Sequence, residues 1–231
     1  MSTDTRNYDD SNAAPRVAIF IDGSNLYHSL EENCNRYDLD FAAFSKKLCA
    51  GRHLFRTYYY NLLRDPNRNP QAYHDQQKFL TALYSTPYLD VRLGSSKMRG
   101  DVAVEKGVDI MLATDLLRSA WDNLYDVAIL VSGDGDFSYA VKAVKDMGKH
   151  VEVAAFQANL SMELAHVADD RELFTPDYFD ELWSRRRPGD KGSDPYANGG
   201  RRHRRIAKSI PEDSVEHLQP SDFESPKDES E

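Results

Sequence analysis

Only two cysteines, Cys34 and Cys49, occur among the 231 residues, and neither belongs to a CxxC pair. The seven histidines show no metal-ligand spacing. A disulfide framework and a zinc site are therefore both excluded, and the cysteines are expected to be packing residues. No apolar run approaches the roughly eighteen residues that a membrane helix requires. The first ten residues, MSTDTRNYDD, are acidic and polar, whereas a signal peptide would be basic and then apolar. A cytoplasmic protein without membrane contact is the expectation. Positive charge is also short, with 29 Lys and Arg against 38 Asp and Glu and a net charge of −9. Non-specific binding of nucleic acid gains most of its affinity by neutralising phosphates, so overall charge does not favour it.

Hydrophobic residues make up 40% and aromatics 11%. That suffices for one core but not for a chain folded from end to end. Residues 1–15 offer almost nothing to bury, and Pro15 stands just before the apolar run that begins at Val17. They read as a disordered arm. From Arg185 to Lys208 nine Lys or Arg face two Asp, and from Ser209 to Glu231 one Lys faces eight Asp or Glu. A basic block followed by an acidic block has little reason to fold. Residues 185–231 therefore read as a disordered tail, and residues 16–184 as the domain.

Within the domain, short β-branched runs alternate with helical patterns. Val17–Ile21, Leu54–Leu62, Leu89–Leu93, Val127–Val131 and Val151–Phe156 read as strands. Runs with no polar face suggest strands buried on both sides, as in a parallel sheet under helices. Helices are expected at Asn25–Glu32, Phe41–Ala50, Pro70–Tyr84, Val108–Ala120, Phe137–Met147, Ser161–Ala168 and Asp177–Trp183, with Asp40 capping the second. Strict alternation predicts a doubly wound α/β fold: a three-layer sandwich around a mainly parallel sheet.

In such a sheet, ligands bind beyond the carboxyl ends of the strands where the strand order reverses. Two strands end alike here: VAIFI runs into Asp22-Gly23-Ser24-Asn25, and VAILV into Ser132-Gly133-Asp134-Gly135-Asp136. If these strands are neighbours, Asp22, Asp134 and Asp136 converge. Each DG turn, taken singly, is also the ordinary chemistry of a strand-to-helix connection. Taken together, three crowded carboxylates would repel one another unless a cation compensates them. Asp109 shares a helix face with Leu112, Ala113 and Leu116, which places an acid on the expected buried stripe, although an Asp in a first turn is also favoured by the helix dipole. Asp115 lies about 240° round the helix from Asp109; Arg118 is its expected partner, and it ranks as supporting. Oxygen ligands without His or Cys favour Mg²⁺ or Mn²⁺, and such ions promote phosphodiester hydrolysis.

The blocks IDGSN (Ile21–Asn25), EKGVDIMLATDLL (Glu105–Leu117) and LVSGDGDF (Leu130–Phe137) occur in this order. They resemble the NYN domain, LabA-like branch, of the PIN-like nuclease superfamily, over roughly Arg16 to Asp170. The resemblance implies a Rossmann-like fold, a divalent metal and cleavage of single-stranded RNA. By position, Asp22, Asp109, Asp134 and Asp136 match the family's catalytic and metal-binding acids. Metal binding falls chiefly to the first three, and Asp136 orients a metal-bound water. Asn25 and Ser132 are expected to hold a carboxylate or a phosphate oxygen in place. LabA-like members include regulators, so a catalytically weak regulatory or RNA-binding module is the alternative reading.

For substrate contacts, Lys97, Arg99 and Lys106 fall in or beside the expected Gly94–Gly107 loop, and Arg64 and Arg68 follow the second strand. The arginine block at 201–205, with Arg185, Arg186 and Arg187, is a candidate tether for RNA, and a tail with no specific role is the equal alternative. The tail is also the place for a protein partner or a second copy of the chain. Tyr58, Tyr59 and Tyr60 alternate across the sheet and read as core, whereas Tyr27 and Phe137 are the candidates for stacking on bases, with a helix-to-sheet contact as the equal alternative for each. A Toprim-like site would need Glu where Asp22 stands. A haloacid dehalogenase-like phosphatase would need Asp at position 24, which is Ser, and an EF-hand would need a Glu that does not follow.

Overall fold

Five apolar residues, Val17–Ile21, have no polar face to offer solvent, and they form the middle of the sheet with both sides covered. The structure, a computed structural model, describes the backbone of residues 14–99 and 102–184, with side chains for residues 14–95 and 107–184. The expected tail, its arginine block and nearly all of the expected arm lie outside the described residues.

The strands are β1 (Arg16–Asp22), β2 (His53–Leu63), β3 (Leu89–Arg99), β4 (Val102–Lys106), β5 (Val127–Val131), β6 (His150–Phe156) and β7 (Asp170–Phe174). They form one sheet in the order β4-β3-β2-β1-β5-β6-β7. Six strands run parallel, and β4 alone pairs antiparallel, with β3. From β1 the chain winds first through β2 and β3 to one edge and then returns to β5 on the other side of β1. The order therefore reverses between β1 and β5, the point at which such sheets open a crevice.

Helices α1 (Gly23–Cys34), α2 (Phe41–Cys49) and α3 (Pro70–Tyr84) cover one face, where Leu26, Phe44, Leu48 and Leu80 pack on Ile19, Ile21, Tyr59 and Ile129. Helices α4 (Val108–Trp121), α5 (Ser138–Asp146) and α6 (Met162–Val167) cover the other, where Leu112, Leu116, Val141 and Leu164 pack on Phe20, Tyr60 and Leu130. The tyrosine run divides as its alternation requires, with Tyr59 in one layer and Tyr58 and Tyr60 in the other. Asp40 caps α2, accepting from the Ala42 and Ala43 N–H groups at 3.0 Å each.

Three local readings change. The expected 94–107 loop is mostly β-structure, because β3 continues to Arg99 and returns as β4. Beyond Ser95, which still pairs with Leu63 of β2, β3 and β4 pair with no other strand among the described residues. Pairing of Ser95 with Lys106 and of Lys97 with Val104 sets Lys97, Arg99 and Lys106 at register positions of one ribbon face. The sequence DRELF forms β7, an edge strand whose first four residues are exposed. Its charges blunt the open edge and leave no apolar alternation by which to find it. The expected terminal helix is instead a short 3-10 turn at Pro176–Phe179, and Phe179 stacks against Phe44 and Phe156.

Candidate functional site

Strands β1 and β5 are neighbours in parallel register, with Ile21 opposite Val131, so the Asp22 and Ser132–Asp136 turns emerge side by side. Asp22 is the N-cap of α1: one carboxylate oxygen accepts from the Asn25 N–H at 3.0 Å. The other accepts from the Ser132 hydroxyl at 3.2 Å, and the Ser132 oxygen in turn accepts from the Asp134 N–H at 3.2 Å. Asp134 repeats the arrangement by capping the 3-10 turn Gly135–Phe137, accepting from the Asp136 N–H at 3.1 Å. A single buried hydroxyl thus joins the two acidic turns. Both turns are caps in the ordinary sense, but their burial differs from that of ordinary caps. Asp22 is 6% exposed, whereas Asp134 is half-buried and Asp136 faces solvent.

Two glycines make this approach possible. A Cβ on Gly133 would lie 2.0 Å from the Asn159 carbonyl oxygen, and one on Gly23 would lie 2.4 Å from the Tyr59 ring and 2.7 Å from the Tyr60 carbonyl. Neither position admits a side chain without moving the backbone. The Asn25 side chain holds backbone instead of carboxylate: its oxygen accepts from the Gly133 N–H at 3.1 Å. The Asn25 contribution to Asp22 comes from its own N–H.

A third loop, between β6 and α6, completes the edge and was not legible as part of it. The Ser161 N–H donates to the Gly133 carbonyl at 2.9 Å, and the Ser161 hydroxyl caps α6 by accepting from the Leu164 N–H at 3.2 Å. Asn159 is tied to α1 through Glu32 and Asn33 at 3.0 Å each. The one signal in the sequence was the capping serine before MELAHV.

Electrostatics set Asp22 apart. Burial pushes its carboxyl up from the ordinary 3.8 to about 6; the Asn25 and Ser132 hydrogen bonds oppose the rise, and the negative charges of Asp109 and Asp134 add to it. Asp109 therefore belongs to the same electrostatic neighbourhood, although it is exposed and not on the buried stripe. Leu112 and Leu116 keep the stripe, whereas Asp109 lies in the exposed first turn of α4. Asp115 looks elsewhere. It accepts from the Tyr60 hydroxyl at 3.0 Å, and its expected partner Arg118 pairs with Asp122 at 3.6 Å. The expected stacking residues are core: Tyr27 is 6% and Phe137 2% exposed. The Arg64 N–H donates to Gln76 at 2.9 Å, beyond β2.

Among the described residues, no three His, Cys, Asp or Glu side chains approach closely enough to hold one ion between them. A closed protein cage is thus not what these acids form. Mg²⁺ is usually held by one or two carboxylates, with water and substrate in its remaining positions. An all-oxygen set around a buried, charge-destabilised carboxylate fits that mode.

The architecture and the ordered motifs have counterparts. A solved structure from Vibrio parahaemolyticus, of a protein of unknown function, superposes with a TM-score of 0.60 at 25% identity, covering 72% of this chain and 96% of that one. The Low amplitude and bright protein LabA of Synechococcus elongatus is 29% identical over 164 residues, covering 67% of this chain and 81% of that protein. The NYN domain profile matches residues 16–174, which takes in all seven strands and every acid described above. The chain belongs to the NYN domain family, with LabA-like relatives.

Proposed function

We propose that this protein is a divalent-metal-dependent ribonuclease that hydrolyses phosphodiester bonds of single-stranded RNA. The observation that carries the reading is Asp22: a carboxylate buried at the topological switch point, with the charges of Asp109 and Asp134 raising its cost of ionisation. Such an arrangement spends stability and becomes reasonable when a cation is part of the working state. Asp22 and Asp134 would hold Mg²⁺ or Mn²⁺, with Asp109, whose charge acts on Asp22 as that of Asp134 does. When bound, the ion supplies Lewis-acid polarisation of a phosphoryl oxygen and a more acidic water.

The chain's own groups do the rest. Asn25, Ser132 and Gly133 fix the two acidic turns relative to each other. Asp136, exposed beside Asp134, is positioned to orient a water and take its proton at the carboxylate. Lys97, Arg99 and Lys106, at register positions of the β3–β4 ribbon, and Arg64, just past the end of β2, are assigned to the RNA backbone. Among the described residues no helix is long and apolar enough to cross a membrane, and the site needs none.

A second reading, an NYN module that binds RNA and regulates with little turnover, draws support from the open spacing of the acids. Cleavage of an end-labelled single-stranded RNA with Mg²⁺ or Mn²⁺ separates the two. The enzyme reading expects turnover by the wild type and loss in Asp22→Asn and Asp134→Asn, with circular dichroism unchanged. No turnover by wild type, or equal turnover by all three proteins, would remove it.

A further inference from the structure

The layer formed by α4, α5 and α6 exposes one large apolar side chain in the first turn of each helix. Ile110 is 74% exposed, Tyr139 83% and Met162 90%. Single exposed apolar residues are common, but these three all fall within the first three residues of helices that pack side by side. α5 packs between α4 and α6, and each of the three begins at the edge that carries the acids. Phe137, Ala140, Val141 and Val144 form the buried stripe of the α5 segment, and Tyr139 falls outside it. The Gly135–Phe137 turn runs directly into α5. Tyr139 is thereby fixed about one helical turn, ~5 Å, from the Asp134–Asp136 loop, within the reach of one nucleotide.

We propose that Tyr139, with the exposed Ile110 and Met162 on the two neighbouring helices, is the platform on which unpaired bases of the RNA strand stack while a phosphate of that strand lies at the acidic edge. The inference rests on the ribonuclease reading and deepens it, because a stacking platform accepts only bases whose faces are free. It explains how an acidic protein gains affinity for a polyanion. Stacking on an aromatic ring is tolerant of sequence and needs no phosphate neutralised. A second copy of the chain is a poorer occupant. Each apolar residue has an exposed acid close by in the chain, Asp109, Asp136 and Glu163, so a two-fold contact would set like charges against each other.

The test is binding of a short single-stranded RNA containing 2-aminopurine, with Ca²⁺ in place of Mg²⁺ to limit cleavage. Tyr139 is largely exposed, so its replacement leaves the fold intact. The expected result is quenching by the wild type, affinity about tenfold weaker in Tyr139→Ala at both low and high salt, and recovery to within about twofold in Tyr139→Trp. Wild-type affinity in Tyr139→Ala overturns the platform. So does a loss that tryptophan fails to restore, or a shift from dimer to monomer in Tyr139→Ala with RNA affinity unchanged. Aromatic-dependent binding without Mg²⁺-dependent cleavage supports the platform and sinks the nuclease reading alone.

Discussion

Strands β1 and β5 end in opposite electrostatic conditions. At their amino ends, the Arg16 guanidinium reaches Asp126 at 2.8 Å and the Arg16 N–H donates to the same carboxylate at 2.8 Å. The hydrogen bond from Arg16 holds the Asp126 carboxyl down at about 2. Neighbouring acids at that edge are answered too, with Arg52 on Glu152 and Lys145 on Asp169. At their carboxyl ends, Asp22 accepts two hydrogen bonds, yet burial and the charges of Asp109 and Asp134 hold its carboxyl near 6. One edge is closed by its own cations. The other is built to receive one, and the contrast separates acids that hold the fold from acids available for chemistry.

The largest expected effect is on cleavage. Asp22→Asn should lower Mg²⁺-dependent hydrolysis by about a hundredfold or more, the loss of several kcal/mol of charge stabilisation. Asp126→Asn, on the same pair of strands, should leave the rate within about twofold after correction for folded protein. Equal losses from the two substitutions would erase the distinction between the edges.

Stability should respond with opposite signs. The rise of Asp22 from 3.8 to about 6 corresponds to ~3 kcal/mol against the ionised folded state. Below about pH 4 the carboxyl is protonated in both states, and the penalty is absent. Between about pH 4 and 6 the unfolded chain ionises first, so stability falls as pH rises; above about 6 the penalty is complete. Asn can still cap α1, so at pH 8 in EDTA Asp22→Asn should be more stable than wild type by about 2–3 kcal/mol, and at pH 4 equal to it. Asp126 has the reverse sign: its contribution is present above pH 4 and lost as pH falls towards 2. Its side chain is 42% exposed, so screening limits Asp126→Asn to a loss of about 1 kcal/mol. Urea melts across pH in EDTA, repeated with Mg²⁺, test both signs, and Mg²⁺ should stabilise wild type but not Asp22→Asn.

This division also explains what the sequence disclosed. Buried parallel strands are continuous apolar runs, and the two DG endings point at the switch point as soon as β1 and β5 are taken as neighbours. The acids belonging to strand ends were therefore legible. Elements whose identity depends on tertiary context were not. β7 carries charge because it is an edge, β4 exists because β3 folds back on it, and the Asn159–Ser161 loop joins the site through backbone contacts with Gly133 and side-chain contacts with α1, none of which spacing reveals. Spacing alone left Asp109 between the buried stripe and a first-turn position, and it lies in the exposed first turn. It left stacking open as well: Phe137 lies on the buried stripe and Tyr139, two residues on, does not.

The smallest effect sharpens the boundary between the two kinds of acid within a single helix. Asp109 and Asp115 both lie on α4, but Asp115 takes the Tyr60 hydroxyl at 3.0 Å, and burial together with this carboxylate drives the Tyr60 hydroxyl far above its ordinary range. Tyr60 therefore stays a neutral donor at any working pH, and Asp115 is spoken for by the core, outside the set of acids that answers to a cation. Tyr60→Phe should cost about 1 kcal/mol, the net worth of one hydrogen bond, and leave the Mg²⁺ dependence of cleavage unchanged. A shift in the Mg²⁺ concentration for half-maximal rate would show that Asp115 acts with Asp109 and move the boundary one helical turn and a half further down α4.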